Sequence, residues 1–341
     1  MRGVEFEVGD PLEPVSGALL RVDPRAPLLA GLDLHDQDRV AHYLERASSA
    51  ATLRAYRADW RQFETWCAAR AHYPLPATPA IAAAFLSHLA DAGQAKSTIG
   101  RKLAAIVFAH RAADLVPPTQ APGAVLLERT LRGIRKAGRD RGVIKKRPAD
   151  GDVLRDILRA IEGDSIRSSR DRALLAIGMG GAFRRSELVG IDIAHVRAQP
   201  RGLEILIPFA KTDQEGRGAT VVIPDAKRIA PVALYNAWLT RAAIIEGPVF
   251  RKLSPAGTLT PKRMSDRGVA LVVKARAAAA GYDPTLFSGH SLRAGFLTEA
   301  AVQGANLFKM KEHSRHKSLE MVSEYVRDHE RFRDHAGDGF L

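Results

Sequence analysis

One phenol, Tyr325, closes a stretch that also carries His290, Arg293, Lys311 and His316: Ser288 to Tyr325, reading SGHSLRAGFLTEAAVQGANLFKMKEHSRHKSLEMVSEY. His290 and Arg293 lie one helical turn apart at its start, and His316 stands nine residues before Tyr325. A tyrosine hydroxyl is a poor nucleophile at its ordinary pKa of about 10. Chemistry at Tyr325 therefore needs a base to take the phenolic proton and cations to hold the charge that develops.

Upstream, Phe183-Arg184-Arg185-Ser186-Glu187-Leu188 has an Arg-x-x-Glu spacing that would put Arg184 and Glu187 on one helical face, where the carboxylate can orient the guanidinium. The residues alone leave open which arginine matters and whether the pair is more than a surface contact. Gly289-His290-Ser291-x-Arg293, then His316, then Tyr325, resembles the closing motifs of the tyrosine recombinase (phage integrase) family, including its Cre-like members. That family's Arg-x-Ser-Glu-Leu pattern fits Arg184 to Leu188 and selects Arg184 over Arg185. The Thr-Gly that usually precedes this arginine is absent, and Ala182-Phe183 stands in its place.

The resemblance, which runs over about residues 45–330, implies a site-specific recombinase that cleaves and rejoins DNA through a covalent 3′-phosphotyrosine, without ATP, cofactor or metal. Carried over residue by residue, it implies Tyr325 as nucleophile and Arg184 and Arg293 on the non-bridging phosphate oxygens. His290 would be the base or proton relay, and His316 would donate a further hydrogen bond to the phosphate. Lys211, in a β-hairpin loop, would protonate the leaving 5′ oxygen, and Glu187 would position its neighbours. The implied partner is double-stranded DNA with an inverted-repeat target, bound by a homotetramer with a dimer per site. The same residues would also serve a telomere resolvase or a type IB topoisomerase, and a non-catalytic DNA-binding or architectural protein is a further reading.

The elements that must position these groups are mostly helical. Leu53, Tyr56, Trp60, Phe63 and Cys67 recur at spacings of three and four, marking one apolar helix face. Ile81, Phe85 and Leu89 begin a second helix. A third starts at Ser97 or Thr98, either able to cap it, and a fourth covers Ala124 to Lys136. After residue 150 the pattern mixes: helices over Asp152–Glu162, Ser169–Gly181 and 229–245, strands at Leu203–Ile207 and Thr220–Ile223 flanking the Lys211 loop, and an amphipathic segment from Leu259 to Ala280. His290 and Arg293 open the next helix on its polar side, and Ser318–Phe332 buries Leu319, Val322 and Val326 beside Tyr325. The expected fold is mostly α with a small β-sheet or hairpin: an all-helical core-binding domain (45–137) and a mixed α+β catalytic domain (151–341). They are joined by a basic linker (138–150) and preceded by an arm (1–44).

The formal net charge of +13, with sequence pI near 10.1, points to a polyanionic partner. Residues 1–50 carry −4, so the positive field belongs to the body. Between Arg129 and Arg147 nine bases face one acid, Asp140, a segment stabilised along a phosphate backbone by counterion release. Candidate DNA contacts are Lys96, Arg101 and Lys102 at the start of the third helix, and Arg139, Lys145 and Lys146 in the linker. A single cysteine, Cys67, fits a reducing compartment, and with neither a membrane-length apolar run nor a signal-like start the expected location is cytoplasmic. His290, His313 and His316 lack zinc-site spacing, and no nucleotide-binding glycine loop occurs.

Overall fold

The computed structural model describes residues 32–46, 49–138, 146–208 and 218–329. Two compact units divide at residues 143 and 144. The first is all-helical among the described residues. Helix α1 (Leu34–Arg46) overlaps the end of the segment read as an arm (1–44). It is followed by α2 (Ala50–Ala68), α3 (Pro79–Asp91), α4 (Lys96–Ala112) and α5 (Ala124–Ala137). Ser49 and Thr78 cap α2 and α3 through their hydroxyls. Helix α4 begins earlier than expected, at Lys96, and its N-cap Ala95 offers no side chain. Trp60, Phe63, Phe85, Leu86, Leu89, Ile106 and Leu127 fill one core. His110 is buried there and satisfied: Nε2 accepts from Ala77 N at 2.9 Å while Nδ1–H donates to Ile106 O at 2.8 Å.

The second unit holds the remaining elements. After α6 (Gly151–Arg159), capped by Asp150, comes α7 (Ile166–Gly180), buried on nearly every side at the centre of the core. Helix α8 (Arg185–Gly190) leads into an antiparallel sheet of order β1 (Val196–Gln199), β2 (Gly202–Ile207), β3 (Ala219–Pro224). Strands β2 and β3 pair in a register that sets Ile205 opposite Val221 and Ile207 opposite Ala219, which gives the expected hairpin. The connection 209–217, with Lys211, lies outside the described residues, as do Arg139 and Lys145.

After α9 (Pro231–Ala242), the stretch read as one amphipathic segment divides in two. Strand β5 (Leu259–Arg263) pairs with β4 (Arg251–Leu253), and α10 (Asp266–Ala279) starts where Ser265 caps it. Helices α11 (Ser291–Val302), α12 (Leu307–Ser314) and α13 (Leu319–His329) then pack through Leu297, Ala301, Met310 and Val322, with Tyr325 and Val326 against them. Helix α12 was not legible in the sequence, since it buries only Met310 and Ser314. Asn306 defines its start by accepting from Phe308 N and Lys309 N.

The chain entering this unit is fastened to α11. Arg147 N donates to Leu286 O at 2.7 Å, Ala149 N to Ser291 O at 2.9 Å and Gly151 N to Glu299 Oε2 at 3.0 Å. Gly295 on α11 makes the crossing possible, because a Cβ there would stand 1.8 Å from Ala149 O.

Candidate functional site

Arg184 does not lie on a helix face with Glu187. It is the N-cap residue of α8, in extended conformation, and Glu187 at the third helical position reaches back to accept from Arg184 N at 2.9 Å. That is the local reason for the Arg-x-x-Glu spacing. Glu187 Oε1 then takes Arg184 Nη1 at 2.5 Å, and Arg184 Nη2 donates to Arg315 O at 2.9 Å. Burial alone would raise the Glu187 pKa, but Arg315, then Arg184, holds it below the usual carboxylate range.

Arg293, in the first turn of α11, was expected to point out of the core. It is instead 2% exposed. Its Nη1 donates to Ala182 O at 2.8 Å, while the buried Nη2 has no acceptor among the described residues. Burial first, then the cations Arg184 and Arg315, press its pKa down to about 9. The group stays protonated at neutral pH with one donor uncommitted, a configuration that an anion stabilises.

His290 caps α11, with Ser288 Oγ accepting from its backbone N–H at 3.1 Å. The residue is exposed, yet the protein around the imidazole withdraws enough water for desolvation to lead in lowering its pKa, followed by Arg293, Arg185 and Arg184. Gly289 before it leaves room for the side chain of Arg185, whose Cδ lies 1.9 Å from where a Cβ would stand.

His316 is pushed down to about 4, by burial and then by Arg293, Arg184 and Arg315. Its Nδ1 lies 2.7 Å from Ser314 Oγ. Ser314 Oγ also lies 2.6 Å from Met310 O, and a carbonyl can only accept, so the serine hydrogen points there. Nδ1 therefore carries the proton, and the Nε2 of the neutral ring is an acceptor, opposite to the donor part read from the sequence. Tyr325 is half-buried. Its pKa is raised by burial, a shift that Arg293 partly opposes, so the phenol keeps its proton at neutral pH. The third histidine of the stretch, His313, donates Nε2–H to Gly180 O at 2.8 Å and stacks on Phe296.

The structure thus gathers Arg184, Glu187, His290, His316 and Tyr325 within electrostatic reach of Arg293, on one unit. Sequence reasoning missed Arg315, which adds a third guanidinium, and Ser314. The low His316 pKa has a measurable consequence for stability. Between about 6.5, its unfolded value, and about 4, the unfolded chain binds the extra proton, so stability rises with pH across that window and is lost as pH falls through it. The Tm is expected to drop between pH 7 and 4.5 and to drop less in His316→Gln. Equal pH sensitivity of the two proteins would contradict the assignment.

Of the candidate polyanion contacts, Lys96 and Lys146 are exposed, although Lys146 Nζ donates to Thr285 O at 2.7 Å. Lys102 requires a correction. It is 6% exposed, with its ammonium 2.9 Å from Asp59 Oδ1 and also bonded to Gln62 Oε1, so it cannot reach a phosphate without abandoning a buried carboxylate. Arg101, on the other side of Asp59, is the solvent-facing cation of that pair.

Among known families, the Phage integrase family profile matches residues 149–331, and a phage integrase N-terminal SAM-like domain matches 41–113. An integrase/recombinase xerD homolog from Selenomonas ruminantium is 34% identical over 297 residues, covering 86% of each chain. A tyrosine recombinase of Synechococcus elongatus is 28% identical over 305 residues, covering 86% of this chain and 89% of its own. Among solved structures, XerH site-specific recombinase bound to a palindromic difH substrate, as a post-cleavage complex, superposes with a TM-score of 0.62 at 15% identity, covering 87% of this chain and 82% of that one. A lambda integrase dimer bound to a COC′ core site gives 0.54 at 19% identity, covering 89% and 97%. At these identities the likeness is one of fold: mostly helical, with small antiparallel sheets.

Proposed function

The chain belongs to the phage integrase family and is a tyrosine-type site-specific recombinase, and from that premise we propose that Tyr325 exchanges DNA strands through a covalent 3′-phosphotyrosine. The proposed partner is double-stranded DNA carrying an inverted-repeat target, bound by a homotetramer with a dimer per site, in the cytoplasm. Residues 45–137 serve as the core-binding domain, 138–150 as the basic linker and 151–341 as the catalytic domain.

Tyr325 Oη attacks phosphorus, its proton passes to the neutral His290, and the bond to the 5′ oxygen breaks. Lys211 protonates that oxygen as it leaves. Arg184 and Arg293 hold the non-bridging oxygens, where charge grows in the transition state. The phosphate's own charge favours protonation of His316, whose Nε2–H then donates to it. Because the ester energy is kept in the phosphotyrosine, a 5′ hydroxyl from another strand can reverse the step without ATP.

The observation that carries this reading is the buried, uncommitted Nη2 of Arg293 beside a half-buried phenol. A buried donor with no acceptor among the described residues suits a phosphate oxygen. When the protein is incubated with fragmented DNA from its source and then denatured, DNA is expected to remain attached to the Tyr325 peptide and to map to a discrete repeat. Binding without any attachment would overturn strand transfer and leave an architectural DNA binder.

A further inference from the structure

Arg315 follows α12 in the left-handed conformation, φ 55° and ψ 45°, a region that favours glycine. Its guanidinium is nevertheless held at four points. Nη1 donates to Gly181 O at 3.2 Å and His313 O at 2.5 Å, and Nη2 donates to Ala182 O at 3.1 Å and Glu187 Oε2 at 2.8 Å. Its Cζ lies 5.2 Å from the centre of the Phe183 ring. The backbone carbonyl of the same residue accepts Arg184 Nη2 at 2.9 Å. Ala182, at the other end of this bridge, is also left-handed, φ 46°, and its carbonyl receives Arg293 Nη1 as well.

We propose that Arg315 is a positioning residue for strand cleavage: a third arginine that sets the spacing of Arg184 and Arg293 by clamping the 181–182 turn and Glu187 from behind. Each phosphate-binding guanidinium touches something that Arg315 fixes. Arg184 rests on the Arg315 carbonyl and on the carboxylate that Arg315 shares, and Arg293 rests on the Ala182 carbonyl. Two left-handed residues without glycine persist where the surroundings over-determine them, and here the clamp does so.

Charge gives the clamp a second consequence. Three guanidiniums against the single carboxylate of Glu187 leave a net +2. A phosphodiester carries one negative charge, and the five-coordinate species formed when Tyr325 attacks carries two. A site of +2 therefore favours the transition state over the bound substrate.

The inference rests on the phosphotyrosine reading, so its test is built to fail separately from it. Cleavage is measured as single-turnover covalent attachment at saturating target DNA, for wild type, Arg315→Gly and Arg315→Lys, with DNA affinity and Tm recorded for each. Arg315→Gly relieves the left-handed conflict and leaves the carbonyl that Arg184 uses. Its cleavage rate is expected to fall by roughly 10- to 100-fold, the scale of a misplaced reacting group, with affinity within about threefold. Removing the cation also lets the His316 pKa rise, so the alkaline limb of the rate profile, where His316 gives up the proton it donates to the phosphate, should move to higher pH.

Arg315→Lys keeps the charge and loses the fork, so its rate should fall while the alkaline limb stays in place. Wild-type cleavage by Arg315→Gly, or a loss confined to affinity, would overturn the clamp. If Arg315→Gly were unfolded at the assay temperature, wild-type cleavage by Arg315→Lys would overturn it instead. If wild type itself forms no attachment, the reading beneath it has failed.

Discussion

Tyr325→Phe is expected to bind target DNA as wild type does and never to become attached to it. The ring packs beside Val322 and Val326 in the small core formed by α11, α12 and α13. Removing one oxygen leaves that packing intact, so the variant should fold and assemble normally. What it loses is the only group proposed to accept the phosphoryl bond, and no neighbouring hydroxyl is proposed to replace it. Denaturing electrophoresis with labelled DNA checks this directly. An adduct that persisted in Tyr325→Phe would move the nucleophile elsewhere.

The second large effect is expected at Arg293, where stability and activity should part company. Arg293→Met keeps most of the buried volume and removes the charge. Loss of one donor to the developing negative oxygens should lower cleavage on the order of 10²- to 10³-fold. Folding should not suffer. Ala182 O keeps its bond from Arg315, the orphaned Nη2 disappears, and the burial of a charge and the repulsion from Arg184 and Arg315 that together press the Arg293 pKa to about 9 are released. A Tm equal to wild type or a few degrees higher is therefore expected. A marked fall in Tm with unchanged cleavage would make Arg293 structural.

Residues whose parts depend on near neighbours were legible in the sequence. The helical stripe from Leu53 to Cys67 and the β2–β3 pairing follow from periodicity. Arg184, Glu187, His290, Arg293, His316 and Tyr325 follow from motif order. What escaped depends on contacts distant along the chain. Lys102 at the start of a helix looks like a surface cation until Asp59, 43 residues earlier, is found against it. Arg315 looks like one more base in a polar run, because nothing local announces its left-handed backbone or a carboxylate 128 residues upstream. Arg293 was placed outside the core because Leu292, Phe296, Leu297 and Ala300 mark the buried side of its helix, and the acceptor that receives its buried guanidinium, Ala182 O, lies 111 residues upstream. Helix α12 escaped for a plainer reason, a buried face only two residues wide.

The fastening of residues 147–151 along α11 bears on how such a chain can change over evolutionary time. Arg147, Ala149 and Gly151 are indexed in turn to Leu286, just ahead of the helix that carries Arg293, and to Ser291 and Glu299 on it, against the bare flank of Gly295. A one-residue insertion there would slide the support of Arg293 out of step. Swapping the preceding unit for another should therefore fail where the junction falls within residues 147–151.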